Sequence, residues 1–170
     1  KQKPLPYKAQ KIEAEWEKLH QATPEDFEKS PETGVKQAII DKVANALITI
    51  PEGFKPIKQI EKLLKDRQAA FFEDKALGWA EADLLAYGSL LAEGTPVRMS
   101  GQDVKRGTFS HRHAYFFDMN TNAAYCGLDH IDKGQKKFHI YNSLLSEFGV
   151  LGFEYGYAMS SPYALVIWEA

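Results

Sequence analysis

Residues 138–169, FHIYNSLLSEFGVLGFEYGYAMSSPYALVIWE, contain the clearest indication of a fold class in this chain. It opens and closes with short runs rich in aromatic and β-branched residues, FHIYNS and ALVIWE, which predict two strands. Between them, Ser146 stands where a helix N-cap is expected. A strand, a helix and a strand joined by short turns form a βαβ unit. The sequence therefore predicts an α/β fold with a largely parallel sheet.

Two more predicted strands and a helix extend this pattern toward the amino terminus. PVRMS (96–100) and HAYFFDM (113–119) have the composition of short strands. GWAEADLLAYGSLLAEG (78–94) predicts a helix that leads into the first of them, and Gly94 fits the position after its last turn. We expect residues 77–170 to form one sheet-containing domain.

Residues 1–76 differ in composition from residues 77–170, since they are rich in charged residues and have apolar residues at helical spacing. The helical pattern occurs in KAQKIEAEWEKLHQA, GVKQAIIDKVANALITI and PIKQIEKLLKDRQAAFF. Thr23-Pro24 and Ser30-Pro31 each fit a cap followed by proline at the first helical position. We interpret this segment as a helical scaffold.

Three glycines interrupt the helix predicted after Ser146: Gly149, Gly152 and Gly156. Each costs about 1 kcal/mol relative to alanine, and their spacing puts them on one face, where another backbone can approach. The opposite face carries Glu147, Leu151, Glu154 and Ala158. Glu147 has two interpretations: a first-turn carboxylate that the helix dipole favours, or a ligand-binding group at the carboxyl end of a strand.

Composition sets broad limits on the function. The chain has 170 residues, 44% of them hydrophobic, and a net charge of −2, so it can bury a core and has no basic field for nucleic acid. Its apolar runs are too short to span a bilayer. The single Cys126 excludes an internal disulfide and is expected to be a small buried residue. Because the chain starts at Lys1 and stops within a predicted strand, we expect a piece of a longer protein.

SGQDVKRGTFSHRHA, residues 100–114, concentrates polar side chains in a loop. His111 and His113 would face the same way on a strand and could share a metal ion. A third ligand would have to come from elsewhere in the chain: His130, His139 or Asp118. None stands at a diagnostic spacing, so we expect structural histidines and no metal site.

These motifs resemble the thiamine-dependent, decarboxylating component of the 2-oxoglutarate dehydrogenase complex. SGQDVKRGTFSHRHA is similar to that family's SG-[QE]-D, RGTF and HRH pattern, and LSEFGVLGFEYG to its LSE motif before a glycine-rich helix. ALVIWEA resembles its strand ending in IWEA, and the likeness extends over residues 33–170. The resemblance implies that residues 77–170 are the N-terminal part of a transketolase-like pyrimidine-binding domain, preceded by a helical linker over residues 1–76.

The resemblance also implies a cofactor, thiamine diphosphate, bound between two domains of a homodimer. Its diphosphate and Mg²⁺ are held by a GDG…N motif in a domain absent from this chain. The family's LSE glutamate, Glu147 here, is catalytic and hydrogen-bonds the pyrimidine ring, and the SGQD glutamine, Gln102, lies beside the cofactor. We expect Asp103, Arg106 and His113 to support the loop through charge-assisted hydrogen bonds.

The activity implied for the whole protein is oxidative decarboxylation of 2-oxoglutarate in the tricarboxylic acid cycle, in the bacterial cytoplasm or the mitochondrial matrix. The succinyl group would pass to lipoamide on the dihydrolipoyl succinyltransferase partner. Two alternatives stay open: a 2-oxoadipate-type relative that shares these motifs, and a non-catalytic dimerisation or interaction module. We expect no nucleic-acid or membrane partner and no activity from the chain alone.

Overall fold

The computed structural model of the protein describes residues 15–169, and the chain divides into two compact units between Gly34 and Val35. In the first unit, a 3₁₀-helix at Pro24–Phe27 begins after Thr23. The backbone N–H and the hydroxyl of Thr23 donate to the Asp26 carboxylate at 2.7 and 3.1 Å. The predicted cap at Thr23-Pro24 is confirmed, although it starts a short 3₁₀-helix.

Two helix predictions in this region need correction. Of the helix predicted over residues 8–22, residues 8–14 lie outside the described part, and the rest forms a single 3₁₀ turn at Trp16–Lys18. No helix starts at Ser30-Pro31, because the described chain there stays irregular until residue 37. The Glu32 carboxylate accepts a hydrogen bond from the Gly34 N–H at 2.9 Å, and such local bonds compete with helix formation.

Over its described residues, 35–169, the second unit contains four α-helices: α1 at Gln37–Ile48, α2 at Lys58–Gln68, α3 at Trp79–Ala92 and α4 at Glu147–Ser160. A π-helical turn at Ala69–Glu73 continues α2. The strands in the same described range are β1 at Val97–Gly101, β2 at Phe116–Phe117, β3 at Ala124–Tyr125, β4 at Phe138–Asn142 and β5 at Leu165–Glu169. The helix predicted before PVRMS is confirmed, with Gly94 at a φ of +94° beyond its end.

The main sheet has the strand order β4-β1-β5, and both pairings are parallel. Helix α4 connects β4 to β5 across β1, so the predicted βαβ unit and α/β fold are confirmed. The register aligns Gly101 with Asn142 on one side and with Glu169 on the other. All three strands therefore end at one edge, where parallel sheets bind ligands.

The predicted strand HAYFFDM is wrong over most of its length. His113 has a φ of +39°, and its N–H donates to the Arg106 carbonyl oxygen at 2.9 Å rather than to a neighbouring strand. Within residues 113–119 only Phe116–Phe117 forms a strand, and it pairs antiparallel with Ala124–Tyr125 outside the main sheet. His111 and His113 thus do not share one side of a strand.

The core lies where α1 and α3 pack against the sheet. Its fully buried side chains include Val43, Leu84, Leu91, Val97, Met99 and Phe138. Tyr87 stacks on Phe138 with ring centroids 5.7 Å apart. Cys126 is buried, as predicted. Within residues 15–169, no helix combines the length and apolar character that crossing a membrane requires.

The crossing of α1 and α3 depends on Gly88, because a Cβ there would overlap the methyl groups of Val43. Gly88→Ala should lower the free energy of unfolding by about 1–3 kcal/mol, the usual cost of overpacking. Adding Val43→Ala makes room, so the double variant should be more stable than the sum of the two single changes. Urea unfolding of the four proteins measures this. Additive effects would show that the helices do not meet at this pair.

Candidate functional site

The loops that follow β1 and β4 meet at the carboxyl edge of the sheet. The Ser143 N–H donates to the Gly101 carbonyl oxygen at 2.8 Å, directly before Gln102. The Lys105 N–H donates to the Asn142 side-chain oxygen at 3.0 Å. These bonds hold the Gln102 loop beside the segment that leads into α4.

Glu147 is the first residue of α4. The predicted cap is confirmed, since the Ser146 hydroxyl accepts a hydrogen bond from the Gly149 N–H at 3.3 Å. The Glu147 side chain is exposed and accepts no hydrogen bond from residues 15–169. A carboxylate in this position is stabilised by the helix dipole and remains available to accept a hydrogen bond from a ligand.

Gln102 is exposed at the end of β1, and its side-chain amide makes no hydrogen bond with the described residues. The preceding Gly101 lets β1 approach β5 closely, because a Cβ at this position would overlap the carbonyl oxygen of Glu169. The Ser-Gly pair of the motif therefore has a packing role, and the Gln beside it is left facing solvent.

The rest of the loop is held by short-range contacts. Asp103 has a φ of +53°, and its carboxylate accepts a hydrogen bond from Arg106 Nε at 2.6 Å. The Arg106 guanidinium also contacts the Ser110 hydroxyl. His113 makes no side-chain hydrogen bond within the described residues, and its link to the loop is the backbone bond to Arg106. Burial, followed by the charges of Arg67 and Arg106, lowers the pKa of His113.

Arg112 is an anchor that the sequence interpretation missed. Its side chain is 2% exposed, and its guanidinium donates to both carboxylate oxygens of Glu169 at 2.6 and 3.0 Å. It also donates to the Val104 carbonyl oxygen at 2.8 Å and lies 3.3 Å from Asp83. Arg112 thus ties the loop to the end of β5 and to α3. Nothing in the sequence pairs residues so far apart.

Glu154 is a second missed residue, and it is 3% exposed. Its carboxylate accepts hydrogen bonds from Arg98 Nε and Nη2 at 2.7 and 2.9 Å, and from the Ser100 hydroxyl at 2.7 Å. The bond to Glu154 raises the pKa of Arg98. Tyr157 covers the guanidinium with its ring centroid 4.5 Å away, and Tyr141 lies at 5.0 Å. This cluster fixes α4 on β1 and so sets the position of Glu147.

The outer face of α4 is apolar and exposed. A Cβ at Gly152 or Gly156 would meet nothing within 4 Å, so within residues 15–169 no backbone makes the close approach that the glycine spacing predicts. Large side chains on this helix and the turn before it are exposed: Leu144, Leu145, Phe148, Leu151, Phe153 and Tyr155. A group of large exposed apolar side chains of this kind is typical of an interface.

Two of the residues considered as a third metal ligand, Asp118 and His130, have other contacts. Asp118 accepts hydrogen bonds from the backbone N–H groups of Lys55 and Thr121, which lower its pKa to about 2. His130 stacks on Tyr125 with ring centroids 4.8 Å apart. In the described part of the chain, no three His, Cys, Asp or Glu side chains are grouped so that they could hold a metal ion.

The chain belongs to the transketolase pyrimidine-binding domain family, since residues 75–170 match the model of "Transketolase, pyrimidine binding domain". Comparison with individual proteins shows similarity to 2-oxoglutarate dehydrogenases in particular. The chain is 41% identical over 165 residues to the 2-oxoglutarate dehydrogenase E1 component of Brucella anthropi, which covers 97% of this chain and 16% of the relative. It is 47% identical over 138 residues to the mitochondrial 2-oxoglutarate dehydrogenase of Schizosaccharomyces pombe, covering 81% of this chain and 14% of the relative.

A third relative, the 2-oxoglutarate dehydrogenase E1 component of Brucella ovis, is 39% identical over 165 residues, which are 97% of this chain and 16% of that protein. The chain thus spans about one sixth of the length of the relatives it matches.

Proposed function

We propose that this chain is a segment of a 2-oxoglutarate dehydrogenase that forms the pyrimidine side of a thiamine diphosphate site. The observation that carries this proposal is the exposed Glu147 carboxylate at the start of α4, held beside the Gln102 loop at the carboxyl edge of the sheet. In this proposal residues 77–170 are the N-terminal part of the pyrimidine-binding domain, and residues 1–76 are the linker before it. The family match over residues 75–170 supports this division.

The exposed groups fit an aminopyrimidine. Such a ring needs an acceptor for a proton on its nitrogen and further polar contacts at its edge, and Glu147 and Gln102 offer both without partners of their own among the described residues. When bound, thiamine diphosphate supplies a nucleophilic carbon that decarboxylates a 2-oxo acid. The chain's own part is to orient the pyrimidine ring and to hold a proton between Glu147 and the ring nitrogen.

In this proposal the other polar residues of the loop do not touch the cofactor but fix the position of Gln102. Asp103 and Arg106 hold the backbone next to Gln102, and His113 contributes its backbone bond to Arg106. A side chain that touches a cofactor must be positioned within about 0.5 Å, and fixing its loop achieves this. The magnesium ion and the diphosphate are assigned to a domain outside these 170 residues.

The partner we propose for the outer face of α4 is a second copy of the parent protein. Gly152 and Gly156 leave space for close approach, and the neighbouring apolar side chains are exposed. The parent homodimer would pass its acyl product to the dihydrolipoyl succinyltransferase of the complex, in the bacterial cytoplasm or mitochondrial matrix. The names of the relatives favour 2-oxoglutarate over 2-oxoadipate as the substrate.

The 170-residue chain alone should not bind thiamine diphosphate at micromolar concentrations. A diphosphate needs a metal ion or a nest of N–H donors to offset its desolvation, and the chain lacks the GDG…N motif. Calorimetric titration with the cofactor and Mg²⁺ tests this for the chain alone. The same titration of a protein that includes the diphosphate-binding half should show saturable binding that Glu147→Gln weakens. Micromolar binding to the chain alone, or unchanged binding in that variant, would contradict the proposal.

A further inference from the structure

A cleft of about 420 Å³ lies between α2 and the loop that carries Gln102. This volume is within the range of small-molecule sites, about 300–1,000 Å³. One wall is apolar and comes from two elements: Ile57 and Ile60 at the start of α2, and Phe116 and Phe117 of β2. Phe117 is 49% exposed, so part of this wall faces solvent.

The other end of the cleft is basic. Lys105 lines it, with its ammonium 4.9 Å from the centroid of the Tyr115 ring. Lys105 has no carboxylate partner among the described residues, whereas the neighbouring Arg106 is paired with Asp103. The Asn142 side chain completes this end of the cleft. One uncompensated cation therefore faces an apolar wall across a small cavity.

A buried cation next to the cleft adds to the positive field. Arg67 is 1% exposed and makes no ion pair within residues 15–169. Its guanidinium donates to the Arg112 carbonyl oxygen at 2.5 Å, and its Nε has no hydrogen-bond partner in the described part of the chain. The charge of Arg67 is one of the causes that lower the pKa of His113, which lines the cleft. The Glu81 carboxylate acts on Arg67 only through its charge, without an ion pair. Lys105 therefore remains the cation of the cleft lining that has no ion pair with a carboxylate within residues 15–169.

We propose that this cleft binds a small organic anion, a carboxylate attached to a flat apolar body. The carboxylate would accept hydrogen bonds from Lys105 and the Asn142 amide, and the body would lie against Ile57 and Phe117. Such a ligand offsets the charge of Lys105 and covers the exposed apolar wall at the same time. Its binding requires neither thiamine diphosphate nor a second copy of the chain. Arg106 and Asp103 also line the cleft. A bound anion would be attracted by Arg106 and repelled by Asp103, and would act through this pair on the loop that presents Gln102.

The probe for this site is 2-naphthoate, with the uncharged 2-naphthamide as the matched ligand. Titration into the ¹⁵N-labelled chain should give saturable shifts of the backbone amide signals of Lys105, Arg106 and Phe117. Lys105→Gln should weaken 2-naphthoate about tenfold or more, as expected for the loss of one charge-assisted hydrogen bond. The control is Lys137→Gln. Lys137 is exposed and precedes the first residue of β4, whereas Asn142 of the cleft is the last residue of this strand, so the change should leave the affinity unchanged.

Phe117→Ser provides a second variant that removes part of the apolar wall and keeps the charge. It should also weaken 2-naphthoate, and its amide spectrum shows whether the chain is folded. Equal affinity for 2-naphthamide would mean adsorption to apolar surface only and would overturn the proposal. Shifts confined to the outer face of α4, or equal effects of the two lysine changes, would overturn it as well.

Discussion

Glu147→Gln, in a thiamine diphosphate-loaded protein that contains this chain, is expected to slow hydrogen–deuterium exchange at the thiazolium carbon by about 10²- to 10⁴-fold. A carboxylate can share a proton with the pyrimidine nitrogen along a short charge-assisted bond, whereas an amide oxygen cannot hold that proton. Glutamine is nearly isosteric and has a similar helix propensity, so the fold should be retained.

The exchange measurement needs a control for the loss of one surface charge. Glu93→Gln, at the exposed end of α3, changes the net charge equally and should exchange at the wild-type rate. Sedimentation of both variants checks that assembly is intact. Exchange in Glu147→Gln within about twofold of wild type, far less than the loss of a proton-transfer group causes, would show that Glu147 has no part in the chemistry.

Arg112→Met should lower the free energy of unfolding by about 3 kcal/mol. Removing one partner of a buried ion pair costs about 3–5 kcal/mol because the other charge stays behind unpaired. The lower end of this energy range applies here, because the side chains of Asp83 and Glu169 are 30% and 29% exposed and so remain partly hydrated. The Val104 carbonyl oxygen also loses its donor. Guanidinium chloride unfolding followed by circular dichroism gives the value.

The matched control is Arg106→Met, a change of the same chemistry in the same loop. Arg106 is 46% exposed, and its ion pair with Asp103 is accessible to solvent. Loss of this pair should lower the free energy of unfolding by less than about 1 kcal/mol. If the two variants unfold at the same denaturant concentration, Arg112 is not the anchor of the loop.

The parts of the fold that sequence reasoning predicted are the local ones. The sequence predicts the βαβ unit because β4, α4 and β5 follow one another with short turns. Ser146 and Gly94 are predictable because each affects only the end of the helix beside it. The resemblance to a known family pointed to Glu147 and Gln102, and the structure places both at the same edge of the sheet.

The parts that were missed depend on distant residues. HAYFFDM has the composition of a strand, but Arg112 within the same loop is drawn inward by Glu169, 57 positions away. Glu154 is charged and yet buried, because Arg98 and Ser100 on another element satisfy its carboxylate. Helical periodicity alone places such a residue on a polar surface. The sequence did contain one indication for Glu154. It lies four residues after Val150, so both residues are on the same face of α4, and both are buried.

The strand order also affects how the chain is made. The central strand β1 is synthesised first, while β4 and β5 begin about 40 and 70 residues later. At about 5–20 residues per second, both edges of β1 stay without a partner for several seconds on the ribosome. Val97 and Met99, which end fully buried, are exposed to other nascent chains during that interval. Slower translation of residues 102–137 should therefore increase aggregation during synthesis, and a chaperone that shields this strand should reduce it.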